Sequence, residues 1–139
     1  MKKYLLSSEN FWEQIQTDFG GEGGVYRLHC LNESSQNKFK PINRLLGVDD
    51  EGILYIGKTA KNHFRIGDLF KALSPNYKSL GHHVGIRFSK NIKLKESFPF
   101  SRLCITFIQS EDPKKTESQE LQKYFLKYGE VPPLNAVES

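Results

Sequence analysis

Four glycines within five positions, Gly20-Gly21-Glu22-Gly23-Gly24, interrupt this chain. Glycine loses more backbone freedom on ordering than any other residue, so a helix does not run through such a stretch. The segment before it is closed off, and the segment after it starts afresh. Before it, Glu9 to Asp18 carries Phe11, Trp12 and Ile15 at helical spacing, and residues 1–20 are expected to form a short helical extension. After it, Val25 to Leu31 predicts a strand that shows Tyr26, Leu28 and Cys30 on one face.

The remaining segments emerge from period and punctuation. Asn32 to Asp50 is polar and irregular and predicts a long connection, and Ile53 to Ile56 a second strand entered through Glu51-Gly52 and left through Gly57. Ala60 to Leu73 reads as a helix, with Ile66, Leu69, Phe70 and Leu73 on one side and Ser74-Pro75-Asn76 as its stop. Val84, Ile86 and Phe88 alternate and predict a further strand over 82–88, followed by a basic loop around Pro99. Leu103 to Ile108 is the most strand-like run. Asp112-Pro113 then opens a helix that ends at Tyr128, where Gly129 stops it. This order predicts an α+β fold: a small, mainly antiparallel three-stranded sheet, with 82–88 as an extra candidate strand, flanked by helices. At 139 residues a single domain (1–139) with its core over 23–135 is expected.

A net charge of +4 and a pI near 9.0 suit a polyanionic partner without identifying one. Lys58, Lys61, Arg65, Lys71 and Lys78 fall in one stretch, and Arg87, Lys90, Lys93 and Lys95 in another; either could track phosphates or simply be a solvated face. No apolar run approaches the ~20 residues of a membrane span, so no membrane partner is expected. The N-terminus lacks the apolar region of a secretion signal. Cys30 and Cys104 have neither zinc-site spacing nor the numbers for a disulfide framework, and read as buried thiols of a cytoplasmic protein.

Two strands each place a tyrosine near glycine: Gly24-Val25-Tyr26 and Tyr55-Ile56-Gly57, the second followed by Lys58. Singly these tripeptides are uninformative, because a strand tyrosine is usually a packing residue. Arg65 stands ten residues after Tyr55 inside the next helix, a glutamate lies on the late helix, and Asn135 comes after that helix. This ordered set resembles the GIY-YIG nuclease superfamily over roughly Gly23 to Asn135. The resemblance implies a metal-dependent endonuclease that hydrolyses DNA phosphodiester bonds. Tyr26 would position or activate the attacking water, and Tyr55 would hydrogen-bond the phosphate or that water. Arg65 would stabilise the phosphate, Glu117 would bind the metal, and Gly57 and Asn135 would support the site. A free tyrosine has a pKa of ~10 and needs help as a base; Lys58 could supply it as a neighbouring cation. One carboxylate with waters and phosphate suits Mg²⁺, with Mn²⁺ as the second choice.

Glu117 and Glu120 both open the late helix. At ~100° per residue, Leu121, Tyr124, Phe125 and Tyr128 form a stripe whose centre lies within ~30° of Glu117 and ~90° from Glu120. Glu117 is therefore preferred as the metal ligand, with Glu120 as fallback. Two features depart from the resemblance. Leu69 occupies the place, one turn after the arginine, where many family members carry a histidine; His63, His82 or His83 could substitute, although each reads more readily as a surface residue. Tyr26 and Tyr55 are 29 positions apart, closer to the restriction-type branch than to the compact homing enzymes. Sequence preference, if any, would come from the 32–50 and 74–102 insertions, and a monomer or weak homodimer is expected. Two alternatives stand beside the nuclease: a non-catalytic nucleic-acid-binding module on the same scaffold, and a basic interaction protein whose tyrosines merely pack.

Overall fold

The structure, a computed structural model, describes residues 1–75 and 82–135. Its strands are β1 (Tyr4–Leu5), β2 (Gly24–Asn32), β3 (Ser35–Phe39), β4 (Ile42–Arg44), β5 (Gly47–Asp49), β6 (Tyr55–Thr59) and β7 (Leu103–Gln109). Its helices are α1 (Phe11–Phe19), α2 (Phe64–Leu73), α3 (His83–Lys90), α4 (Ile92–Ser97) and α5 (Pro113–Tyr128). The fold is α+β, with an antiparallel sheet flanked by helices.

The sheet is organised by β2. One edge of β2 pairs with β7, which in turn carries β1; the other edge pairs first with β6 and, near its end, with β3. The alternation of β2 then sorts its side chains between two cores. Tyr26, Leu28 and Cys30 face helices α1, α2 and α3 through Phe11, Ile15, Ile66, Leu69, Val84 and Phe88. Val25 faces the other way, where α5 lays Tyr124 and Tyr128 on Ile53 and Ile56. Fully burying each such aliphatic side chain is worth ~1.5–3 kcal/mol, so both faces hold β2 and β6 in place. Helices α2 and α5 thus lie on opposite faces of the same pair of strands.

Several expectations are corrected by the fold. Residues 82–88 are helical, not a strand. Val84 and Phe88 are one helical turn apart and both buried, while Ile86 between them is only partly so. Val84 and Phe88 alone satisfy the helical period, and Ile86 falls on the other face. A side chain at Gly85 would collide with Ala72, so α3 packs closely against α2. The 32–50 connection contains β3 and a separate β4–β5 hairpin, edge strands too polar to read by hydropathy. The second strand starts at Tyr55 and runs through Gly57 to Thr59 rather than ending at Gly57. The basic loop holds α4, capped by the Asn91 side chain on the Leu94 amide at 3.1 Å. Residues 1–20 begin with a strand paired to β7, not with a purely helical extension.

Helix α5 matches its expected bounds: Asp112 caps it, and Gly129 ends it at φ +78°, a left-handed turn that favours glycine. Its buried stripe is narrower than expected, because Phe125 is 51% exposed. Cys30 and Cys104 are buried free thiols. Asn76, the last residue of the expected α2 stop, and Lys78 lie outside the described residues, as do parts of the 74–102 insertion and the end of the 1–139 domain. Among the described residues no helix is long and apolar enough to cross a membrane.

Candidate functional site

Antiparallel register brings the two tyrosine tripeptides together. Tyr26 on β2 stands opposite Gly57 on β6, and Leu28 opposite Tyr55. Side chains of directly opposed residues share a face, so the Tyr26 ring covers the space that a side chain at 57 would need. A Cβ on Gly57 would lie 2.5 Å from Tyr26 Cζ and 2.7 Å from Tyr55 Cε1. The two rings sit with centroids 6.1 Å apart.

Around this pair a cleft of about 450 Å³ is lined by Tyr26, Tyr55, Lys58, Arg65 and Glu117, with Thr59, Ala60 and Pro113 completing its wall. The five side chains come from β2, β6, α2 and α5. Arg65 arrives because it borders the buried Ile66 on α2 and is itself only half-buried; Asp68, one turn on, holds its guanidinium at 3.1 Å. Glu117 arrives on the stripe that α5 turns toward the sheet. Its carboxylate accepts the backbone N–H of Lys58, and the Lys58 ammonium stands 3.9 Å away. Burial raises the Glu117 pKa, and the lysine only partly opposes that. Glu120 points elsewhere: it pairs with Arg27 at 3.6 Å and lines a separate groove with Tyr124 and Tyr128.

The tyrosines are kept protonated. Tyr26 is 1% exposed and burial pushes its pKa well up, with Tyr55 adding to the effect and Arg65 opposing it. Tyr55 is raised as well, by burial first and Glu117 second. Lys58 attends Glu117, not Tyr26 as expected.

The partner of Tyr26 is His82. Its Nε2 lies 3.1 Å from the Tyr26 hydroxyl, while its Nδ1 accepts the Val84 N–H at 3.3 Å and caps α3. With Nδ1 used as an acceptor, the single proton of a neutral imidazole sits on Nε2 and is donated to the Tyr26 oxygen. The imidazole is neutral because burial lowers its pKa to about 4, helped by Arg65 and His83. The His82 ring also meets the Tyr55 ring edge-on, with centroids 5.2 Å apart, so one imidazole touches both tyrosines. His82 and His63 are buried, contrary to the surface reading of both; only His83 of the three is exposed. His63 packs between Phe19 and Phe107 and does not line the cleft.

Asn135 supports the site from outside. Its amide donates to Ile56 O at 2.9 Å and accepts from Ile56 N at 3.0 Å, replacing a neighbouring strand along the free edge of β6. Sequence reasoning passes over Asp68 and the role of His82, since a helix carboxylate and a loop histidine have no signal of their own.

The donor set at Glu117 fits a hard, hydrated cation. Its carboxylate is burdened by burial and met by one ammonium at 3.9 Å, and the other side-chain oxygens of the cleft are hydroxyls. Among the described residues no group of three histidines, cysteines or carboxylates forms a closed cage. A Mg²⁺ that keeps most of its waters needs no such cage. No family model, curated protein or solved structure matches this chain.

Proposed function

We propose that this protein is a GIY-YIG-type, metal-dependent endonuclease acting on DNA. One observation carries the reading: Tyr26, Tyr55, Lys58, Arg65 and Glu117, scattered over four elements, line a single cleft of about 450 Å³. Hydrolysis of a phosphodiester places extra negative charge on the phosphate and a basic oxygen on the departing strand. The Arg65 guanidinium matches two phosphate oxygens at once, and Asp68 keeps its fork oriented. Tyr26 is too deeply buried and too firmly protonated to serve as a base, so its role is positional: held by His82, it packs beside Tyr55, whose hydroxyl would orient water or phosphate. Lys58 offers an ammonium to the leaving oxygen. Glu117 would hold Mg²⁺ or Mn²⁺, which when bound supplies charge that acidifies a water and screens the phosphate.

Plasmid nicking at low salt with Mg²⁺, compared among the parent, Arg65→Ala and Glu117→Gln, tests this. Nicking by the parent and its loss in both variants supports the proposal; an inert parent across Mg²⁺ and Mn²⁺ rejects it. A second reading, a nucleic-acid-binding module without chemistry, is favoured by one observation, the proton-retaining state of both tyrosines. It expects DNA binding by the parent with no nicking at any metal concentration.

A further inference from the structure

Beside the cleft, along α2, lies a groove of about 370 Å³ lined by Trp12, Phe64 and Phe70 among others. Two large aromatics stand open to solvent there: Phe64 is 70% exposed and Trp12 is 41% exposed. The Trp12 ring lies over Gly67, where a side-chain carbon would be 3.7 Å away. Phe11 and Phe70 stack beneath with centroids 5.7 Å apart. Phe64 is turned outward at the first position of α2, directly after His63, whose φ of +56° is a left-handed conformation rarely adopted outside glycine. A single exposed apolar residue needs no explanation, but here two large aromatics open into one groove.

Resting on the nuclease reading, we propose that this groove stacks an unpaired nucleobase of the strand whose phosphate meets Arg65. The substrate class is then DNA with unstacked bases, such as single strands, flaps or junctions, rather than continuous duplex. Three features choose this occupant over an apolar protein segment. The groove adjoins the cleft through Asp68, which lines the groove while holding the cleft's Arg65. Lys71 lines the groove and Lys61 is exposed three residues before Phe64, so two cations are available to a phosphate chain that leads to it. Glu9 and Asp68 at the rim supply acceptors for the exocyclic amines of a base, groups that an apolar peptide would leave unmatched. Every base has a π-face, so stacking between Trp12 and Phe64 tolerates any sequence.

Trp12 is the only tryptophan, so its emission reports this groove alone. Full-length protein without divalent metal is titrated with a single-stranded oligonucleotide and with an abasic backbone of equal length. The expected result is quenching by the oligonucleotide and binding of the abasic strand at least ten-fold weaker. Phe64→Ala keeps the reporter and should weaken oligonucleotide binding about ten-fold while leaving abasic binding unchanged. Equal response to both strands, or no effect of Phe64→Ala, overturns the proposal. So does a dimer in sedimentation that Phe64→Ala converts to monomer, which would assign the groove to a second copy of the chain. Nicking is scored separately. Base-dependent quenching without nicking defeats the nuclease reading alone, and nicking without base dependence defeats the groove alone.

Discussion

His82 donates from Nε2 to the Tyr26 oxygen across 3.1 Å while its Nδ1 caps helix α3, so one imidazole ties the cleft tyrosine to a helix start. His82→Ala removes both bonds and leaves a buried hydroxyl without its donor, a loss of ~1–3 kcal/mol. His82→Asn keeps a cap acceptor but is too short for Tyr26. Urea unfolding should therefore rank the parent above His82→Asn and His82→Asn above His82→Ala. Equal stability of the two variants would mean that the cap contributes nothing.

Stability should fall on mild acidification. His29 and His82 are both held near pKa 4, mainly by burial, against an ordinary 6.5. His29 donates from Nδ1 to Glu51 O at 2.7 Å, so its Nε2 accepts from Thr106 at 2.9 Å. Between pH 6.5 and 4 the unfolded chain binds protons that the folded chain refuses. The stabilising contribution is thus full above 6.5 and lost as pH drops through this window, by ~3 kcal/mol for a fully buried histidine. Unfolding free energy measured from about pH 7 to 4 checks this, and His29→Gln should flatten the slope. An unchanged slope would show that His29 does not titrate abnormally.

Gly57 and Gly67 should respond with opposite signs to the same substitution. A methyl at 57 meets the Tyr26 and Tyr55 rings at 2.5–2.7 Å, in a strand where the rings have no room to retreat. Gly57→Ala should destabilise by ~1–3 kcal/mol. A methyl at 67 meets only the Trp12 ring at 3.7 Å, ordinary contact, inside a helix. Gly67→Ala should stabilise by up to ~1 kcal/mol. Thermal unfolding of both variants decides it, and a stable Gly57→Ala would show that the tyrosines can separate.

Legible in the sequence is whatever repeats or stops abruptly. Strand β7 carries a dense β-branched and aromatic run, β2 alternates Tyr26, Leu28 and Cys30 on one face, and α5 carries both of its caps. The convergence of Tyr26, Tyr55, Arg65 and Glu117 is implied by the family resemblance of their order. Strands β3, β4 and β5 stay hidden because edge strands bury little and need no apolar alternation. Helix α3 passes for a strand because Val84, Ile86 and Phe88 alternate, although only Val84 and Phe88 share a helical face; the close packing of Gly85 on Ala72 and the His82 cap go with the helix. The pairing of His82 with Tyr26 joins residues 56 positions apart, a distance over which no local pattern speaks.

Asn135 stands in for a strand at the edge of β6, satisfying both the N–H and the C=O of Ile56. Asn135→Leu removes both bonds and should cost ~1–3 kcal/mol. Asn135→Asp keeps the acceptor but sets a charge against Ile56 O. Hydrogen exchange at the Ile56 amide should speed up strongly in the leucine variant and less in the aspartate variant. Unaltered exchange would place the protection of β6 in its packing alone.

Glu117 and Glu120 lie on the same helix, yet their neutral substitutes should diverge in both stability and activity. Burial raises the Glu117 pKa, so its folded-state ionisation is disfavoured, and any stability tied to the protonated form is lost as pH rises through the folded value. At neutral pH and above, Glu117→Gln removes that cost and should raise the melting temperature. Under the proposed function it also removes the cation ligand and abolishes nicking, the exchange of stability for activity expected of a strained functional group. Glu120 pairs with Arg27, whose side chain is only 15% exposed. Glu120→Gln should therefore lower the melting temperature, because Arg27 keeps only the Glu51 carboxylate at 3.4 Å, and should leave nicking intact. Melting curves at about pH 7 to 8 run beside the nicking assay separate the two. A Glu117→Gln protein that melts lower than the parent would mean that the Lys58 pairing outweighs burial, and nicking lost only in Glu120→Gln would move the metal site to the groove that Glu120 shares with Arg27.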